Sequence, residues 1–192
     1  MSNQKIMKRF FDIILSCFLI ILFFFPCLLI AILIKLTSNG SIIYWSKRVG
    51  KNETVFLMPK FRTMKSESPE KATHLLEDPQ SLLTPIGGFL RNSSIDEIPQ
   101  LICTLRGDLT FVGPRPALFN QSDLIKLRRE SGVNILVPGI TGWAQVNGRD
   151  ELSIAEKVNF DKEYLLRRSL FFDFYIIWLT FIKVIKRQNI SH

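Results

Sequence analysis

From Ile13 to Ile34 the chain reads IILSCFLIILFFFPCLLIAILI, 22 consecutive residues without a charge. Coiled as a helix, that run is long enough to cross the ~30 Å hydrocarbon core of a bilayer. A cleaved signal peptide fits it poorly, because the run is long and no small-x-small cleavage site follows. Two details argue against a plain span. Pro26 removes one amide and clashes with the carbonyl of Leu22, so a kink is expected just past the midpoint. Both flanks are also basic, with Lys5, Lys8 and Arg9 before the run and Lys35, Lys47, Arg48 and Lys51 after it. Cytoplasmic flanks carry the Lys/Arg excess, and here both flanks qualify. A re-entrant helix that enters, bends at Pro26 and returns to the same face satisfies both observations; an ordinary kinked transmembrane helix is the alternative.

The remainder is long enough to bury one core, so the 192 residues divide into a membrane-inserted helix over residues 1–39 and a single domain over residues 40–192. Hydrophobic residues make up 47% of the chain while its formal net charge is +8, a pairing that points to a membrane surface or an anionic substrate. Cys17, Cys27 and Cys103 show no paired spacing, and two of them lie in the apolar run, which argues against a disulfide framework or a zinc site. With His74 and His192 as the only histidines, a histidine-based mechanism has little material. Catalysis in such a chain falls to carboxylates and cations.

Past Gly40 the composition becomes that of a globular domain. Ser41–Trp45 and Thr54–Met58 are β-like runs separated by the hairpin signal Val49-Gly50-Lys51-Asn52. The basic stretch Lys60-Phe61-Arg62-Thr63-Met64-Lys65 follows. Residues 66–85 are polar and hold Pro69, Pro79 and Pro85, which reads as loop with a helical turn near Lys71–Leu76. Helices are predicted over Ser94–Leu105 ahead of Gly107, over Gln121–Ser131 ahead of Gly132, and over Ser153–Arg168. Leu170–Ile182 is apolar for 13 residues apart from Asp173, too short and too polar to span. Its Phe, Tyr and Trp content and the Lys183, Lys186 and Arg187 that follow suit a helix lying at the membrane interface or packed on the core. The fold class is therefore α+β, mainly helical with short strands, with an N-terminal re-entrant membrane helix and interfacial helices around one domain.

Three segments carry candidate chemistry. In Arg91-Asn-Ser-Ser-Ile-Asp96-Glu97-Ile-Pro99-Gln100-Leu101, two adjacent carboxylates sit in an apolar frame five residues after an arginine. Adjacent carboxylates repel and partial burial raises their pKa, so a cation or metal is wanted nearby. The alternative is an acidic pair in a helical first turn, capped by Ser93 or Ser94 and stabilised by the helix dipole. In Phe111-Val-Gly113-Pro114-Arg115-Pro116, Pro116 keeps Arg115 out of the helical region and Pro114 fixes its own φ. Arg115 is thus carried on a stiff backbone that suits bidentate donation to phosphate, or else it is a solvated arginine on a rigid turn. In Val137–Arg149, Gly139, Gly142 and Gly148 permit close backbone approach to a ligand, and Asn147 and Arg149 suit a phosphate or a nucleobase edge. A Gly-rich hairpin with Trp143 in the core is the alternative there. Asp161 and Asp173 are further acidic positions on helices, where aspartates are ordinarily solvated. No Walker A sequence, GxGxxG, HExxH, CxxC pair or GxSxG occurs, and Asp161-Lys-Glu163 is too loose a D-x-E to define a metal site. A carboxylate pair, well-spaced cations and a membrane anchor suit phosphoryl transfer at a membrane, where catalysis is largely charge neutralisation and positioning.

The order K-F-R-T-M, S-x-D-E-x-P-Q-L, L-R-G-D-x-x-x-V-G-P-R-P and P-G-I-T-G-W-A-Q-V-N-G-R resembles the bacterial sugar transferases that are monotopic phosphoglycosyl transferases. The resemblance runs from Lys8-Arg9-Phe10-Phe11-Asp12 to the region of Asp173, and it is to the minimal form with only the catalytic domain and one membrane helix. It implies transfer of a sugar phosphate from a UDP-sugar to polyprenyl phosphate, undecaprenyl phosphate in most bacteria, with release of UMP. It also implies Mg²⁺ and a covalent phosphosugar–aspartate intermediate formed in two half-reactions. Carried onto this chain, Asp96 is the nucleophile and Glu97 its dyad partner, with metal binding by Asp96 and Glu97 or handling of the acceptor proton by Glu97. Lys60, Arg91 and Arg115 become phosphate contacts, and Asp173 matches an acidic position near the site; Arg62, Asn147 and Arg149 are further candidate substrate or phosphate contacts. The implied location is the cytoplasmic face of the bacterial inner membrane, at the first membrane step of capsule, O-antigen or glycoprotein assembly. One departure stands out: the family helix commonly breaks at Ser-Pro, whereas this chain has Phe25-Pro26 and lacks the serine hydroxyl that helps satisfy the freed carbonyl.

Pro116-Ala-Leu-Phe119-Asn120-Gln121 gives a lean toward an N-acetylated 6-deoxy sugar, since relatives with similar words there often use one. Oligomeric state stays open, with a homodimer among the options. A catalytically silent scaffold would show a broken dyad or lost arginines, and neither is seen. A nucleic-acid binder would need a basic stripe with exposed aromatics, whereas the basic residues here cluster beside glycines, prolines and carboxylates, so no nucleic-acid partner is expected.

Overall fold

The computed structural model describes residues 2–65, 80–148 and 151–186. Arg149 and the turn expected near residues 71–76 lie outside the described residues. The architecture is helical with a few short strands, as the composition of the segments requires.

Helix α1 (Ser2–Thr37) is one uninterrupted helix of 36 residues with Pro26 inside it. Its middle is bare: Phe18, Leu22 and Phe24 are exposed, and Ile21 and Phe25 are each 76% exposed. Its two ends are not. Near the start, Lys8 Nζ donates to Val112 O and Tyr164 Oη and pairs with Asp173. Arg9 donates to the carbonyls of Thr104 and Leu105, and Asp12 accepts from Thr110 Oγ1 at 2.7 Å and Phe111 N at 3.1 Å. Near the end, Ile30 and Ile34 are buried with Phe61 and Leu90. One domain therefore grips both ends of the apolar helix. Lys8 and Arg9 are thus more than topology signals, because each satisfies acceptors of the domain.

Strands β1 (Ile43–Val49) and β2 (Val55–Phe61) form the expected hairpin, in the register Tyr44↔Lys60, Ser46↔Met58 and Arg48↔Phe56. Both run further than the β-like runs suggest. Pro59 is accommodated because β2 is an edge strand, in the sheet order β2-β1-β4, where a missing amide leaves no ladder bond unmade. Alternation then puts Tyr44, Ser46, Arg48 and Lys60 on one face. Helix α2 (Gly87–Asn92) leads into a 3₁₀ segment at Ile95–Gln100, and α3 (Leu101–Arg106) continues from it. The single helix expected over Ser94–Leu105 is thus two pieces. Gly107, left-handed at φ 96°, ends α3, and the two α3 carbonyls beside it are those bonded by Arg9.

Strands β3 (Thr110–Val112) and β5 (Gly139–Thr141) pair in parallel, while β4 (Ala117–Leu118) pairs antiparallel with β1. Helices α4 (Ser122–Glu130), α5 (Trp143–Val146), α6 (Ile154–Arg167) and α7 (Leu170–Lys186) complete the domain. Ser153 and Glu156 form a reciprocal capping box that starts α6 where the sequence places it. The largest core gathers Val112, Val133, Leu136, Val146, Tyr164, Phe172 and Ile176. Helix α7 packs on the core, burying Phe172, Asp173 and Ile176 on one face, and it exposes Phe171, Phe174, Trp178 and Phe181 on the other.

Two glycines of the 137–149 segment, Gly139 and Gly142, admit the Gly113 backbone, while Gly148 faces the Leu152 side chain. A Cβ on Gly139 would lie 2.1 Å from Gly113 N, and one on Gly142 would lie 2.1 Å from Gly113 O. The turn carrying Arg115 is thereby pressed against β5. Gly139→Ala should lower the melting temperature by roughly 10 °C or prevent folding, since only a backbone shift relieves the clash. Gly132→Ala, at φ 73° with nothing within 4 Å of the new methyl, should cost only a few degrees. Equal small losses in thermal melts of the two variants would show that the segments approach less closely.

Candidate active site

Asp96 and Glu97 lie in the 3₁₀ segment that follows Ser94, which sits in the left-handed region at φ 55°. Neither serine caps this turn. Ser93 Oγ donates back to Phe89 O and Leu90 O of α2 instead. The acidic pair is consequently turned toward the β1–β2 hairpin, where the inward face of the strands supplies cations. Lys60 Nζ donates to Glu97 Oε1 at 2.6 Å and stands 4.0 Å from Asp96 Oδ2. Arg115 Nη2 donates to the same Glu97 Oε1 at 3.2 Å. Arg91 Nε bonds Thr63 Oγ1 at 3.0 Å, and its charge acts on Asp96.

The two carboxylates are thus unlike. Glu97 is tied to two cations. Asp96 is 6% exposed, and among the described residues its carboxylate is given no hydrogen bond, only the Lys60 ammonium at 4.0 Å. Burial pushes its pKa up to about 6 and Lys60 works against that; the Glu97 charge adds to the rise, and Arg91 and Arg115 oppose it. Burial likewise holds the Lys60 ammonium below its usual value, although Glu97 favours its charge.

The sequence expectations are distributed unevenly over this geometry. Lys60, Arg91 and Arg115 converge on the dyad. Arg62 donates to Asn39 O and Ser41 Oγ, at the junction of α1 and β1. Asn147 Nδ2 bonds Trp143 O at 2.7 Å and closes α5. Asp173 pairs with Lys8 and accepts from Tyr164 Oη at 2.7 Å, so it holds the start of α1; burial raises its pKa and Lys8 opposes the rise. Asp161, read as a solvated helix position, is 1% exposed and bonded to Arg128. Arg48 is a cation that the sequence reading left with the membrane flank. Its Nε bonds Ser46 Oγ at 3.0 Å and its Nη1 bonds Pro116 O at 3.2 Å. Burial, with the nearby Arg115 charge, lowers it to about 10, against the pull of Glu97. Strand parity with Tyr44 and Ser46 would have found it, had the strand been carried through to Val49.

Among the described residues, no cluster of three or more His, Cys, Asp or Glu side chains is gathered as for a metal. Two adjacent carboxylates still fit Mg²⁺, which commonly takes one or two protein carboxylates and fills its octahedron with phosphate oxygens and water. Asp96, buried and without a close cation, is the better donor of the two. The arrangement suits an ion that arrives with a polyphosphate more than a permanent cage.

A model of the bacterial sugar transferase family matches residues 3–187. The chain is 37% identical over 186 residues to the uncharacterised sugar transferase EpsL of Bacillus subtilis, covering 97% of this chain and 91% of that protein. It is 36% identical over 187 residues to the UDP-glucose:undecaprenyl-phosphate glucose-1-phosphate transferase of Escherichia coli, covering 94% of this chain and 40% of that protein. To the undecaprenyl-phosphate galactose phosphotransferase of Salmonella typhimurium it is 32% identical over 206 residues, covering 97% and 42% respectively. The chain therefore spans most of the first relative and about two fifths of the other two.

The Asp96 environment can be tested apart from any likeness. A carboxyl with a folded pKa near 6 and an ordinary value of 3.8 costs nothing below pH 3.8, where both states are protonated. The cost grows as pH rises through that window and is complete above about 6, where it reaches up to about 3 kcal/mol. In metal-free buffer, Asp96→Asn should therefore melt above the wild type at pH 7.5, and the gap should close by pH 4. A wild type at least as stable as the variant at pH 7.5 would mean that the carboxylate is not desolvated.

Proposed function

The chain belongs to the bacterial sugar transferase family, and from that premise we propose that it moves a sugar 1-phosphate from a UDP-sugar onto undecaprenyl phosphate and releases UMP. The observation that carries the reading is the contrast within the dyad. Glu97 holds Lys60 and Arg115 in place, while Asp96 keeps its oxygens uncommitted among three cations, Lys60, Arg91 and Arg115. A carboxylate with its lone pairs available, in a low-dielectric site whose positive charge is already positioned, is a competent nucleophile toward phosphorus.

The reaction proceeds in two displacements at one phosphorus. An Asp96 oxygen attacks the phosphorus that bears the sugar, and the bond from that phosphorus to the bridging oxygen breaks. UMP leaves with the electron pair, and the sugar phosphate remains as an acyl phosphate on Asp96. An oxygen of undecaprenyl phosphate then attacks the same phosphorus and regenerates the carboxylate, giving undecaprenyl diphosphosugar. Lys60 and Arg115, with Arg91 and Arg48 behind them, offset the charge of the phosphates. Asp96 and Glu97 would hold Mg²⁺, which would supply further charge neutralisation when bound. The donor is an N-acetylated 6-deoxyhexose in this reading, and the product enters assembly of a surface glycan such as capsule, O-antigen or glycoprotein.

The acceptor is a membrane lipid, so the site must face the bilayer from its cytoplasmic side. Lys8 and Ile34 are 26 positions apart, which is ~39 Å along a straight helix and more than the ~30 Å hydrocarbon core. A span of that kind would carry one gripped end to the far side of the membrane. The contacts at Lys8, Arg9 and Asp12 and those at Ile30 and Ile34 belong to the same domain, which supports a re-entrant α1 that dips its bare middle into the bilayer.

With the purified protein in nanodiscs containing undecaprenyl phosphate and Mg²⁺, UMP release should occur with one or two members of a UDP-sugar panel. It should be lost in Asp96→Asn while the variant stays folded; near-wild-type turnover by that variant removes the nucleophile role. For topology, cysteines introduced near Asn3 and Gly40 should both label from the cytoplasmic side. Labelling from opposite sides would establish a spanning helix.

A further inference from the structure

The segment Pro114-Arg115-Pro116 is held through its carbonyls, and all three are taken. Gly139 N donates to Pro114 O at 2.8 Å, Arg128 Nη1 to Arg115 O at 2.8 Å, and Arg48 Nη1 to Pro116 O at 3.2 Å. Two of the three donors are side chains from other elements, Arg48 from β1 and Arg128 from α4, and the Arg128 bond falls on the arginine that reaches the dyad. Arg128 lies on α4, and its other nitrogens are already occupied: Nε and Nη2 both donate to Asp161 Oδ2, at 2.9 and 2.7 Å. Asp161 lies on α6 and is 1% exposed.

A chain of fixed geometry results. Asp161 sets the plane of the Arg128 guanidinium, and the planar fork directs its remaining donor at the Arg115 carbonyl. Pro116 restricts the Arg115 backbone, and the Arg115 guanidinium reaches Glu97 of the dyad at 3.2 Å. A buried ion pair that only filled space would have no need of the third bond; apolar residues often pack as well. The segment also has room to move if released. A cavity of about 30 Å³, large enough for one water, lies against Pro114, Ala117, Arg128 and Pro138.

We propose that Arg128 and Asp161 are positioning residues that aim Arg115 at the dyad and its phosphate ligand. The inference rests on the transferase reading above. Neither residue reaches Asp96 or Glu97 itself. They act through the backbone of Arg115, where a displacement of about 1 Å is enough to cost orders of magnitude in rate.

The test is a double-mutant cycle on the full chain in nanodiscs, using the UDP-sugar that supports turnover. Arg128→Lys keeps a charge opposite Asp161, but a single ammonium cannot bond both that carboxylate and the Arg115 carbonyl. It should lower kcat for UMP release about tenfold in the wild-type background and less than about twofold when Arg115 is already alanine. Asp161→Asn should show the same pattern. Equal losses in both backgrounds, or unchanged kcat with only a lower Tm, would overturn the proposal. A second readout is independent of turnover: the ¹⁵N-labelled guanidinium resonance of Arg115, assigned by its loss in Arg115→Ala, should shift and broaden in Arg128→Lys and in Asp161→Asn. A resonance unmoved in both variants overturns the proposal. Absence of UMP release from the wild type with every donor counts against the transferase reading alone, and the resonance then still decides the positioning.

Discussion

A single oxygen, Glu97 Oε1, accepts from Lys60 at 2.6 Å and from Arg115 at 3.2 Å. The three residues come from β2, the 3₁₀ segment and the Pro-Arg-Pro turn, and the shared oxygen ties them together at one point. Two cations side by side repel, and burial makes the repulsion stronger. The shared carboxylate is what lets both remain beside Asp96. Because Glu97 is the partner of both, Asp96 is left buried and without a close bond. Its pKa near 6 expresses that situation. Asp96 and the cations beside it are thus prepared by one interaction.

The membrane helix is built into the same unit. Lys8, Arg9 and Asp12 precede the apolar run and each meets a domain partner, Asp173, the α3 carbonyls and Thr110 respectively. The α3 helix that takes Arg9 at its end continues directly from the dyad turn. Insertion of α1 and placement of the dyad are therefore coupled through a few residues of rigid backbone. The exposed aromatics of α7, Phe171, Phe174, Trp178 and Phe181, give the domain an apolar face of the kind that suits an interface.

Much of this was legible in the sequence where a local rule governs. The Ser153–Glu156 box and the 3.6-residue period define α6, Gly132 and Gly107 end their helices, and Gly50 marks the hairpin. The dyad and its arginines stand out as charges in apolar frames. What escaped are residues whose role depends on a partner far along the chain. Asp161 falls three residues after Val158 and three before Tyr164, both buried, so its place on the inner stripe of α6 was visible even though Arg128 was not. Asp173 shares the buried face of α7 with Phe172 and Ile176 in the same way. The glycines at 139 and 142 signal close approach, but nothing local says whether a ligand or the Gly113 backbone approaches. Pro99, which cannot donate a helical hydrogen bond, lies near the end of the 3₁₀ piece of the apparently continuous helix, just before α3 begins.

The central claim is that Asp96 itself takes the sugar phosphate. Incubation with the UDP-sugar in the absence of undecaprenyl phosphate, followed by peptide mass spectrometry, tests it most directly. The account predicts a sugar-phosphate mass increment on the peptide containing Asp96, a matching burst of UMP, and loss of both in Asp96→Asn. UMP release that requires both substrates together, with no increment on that peptide under acid-quenched conditions that preserve acyl phosphates, would contradict it and favour direct transfer.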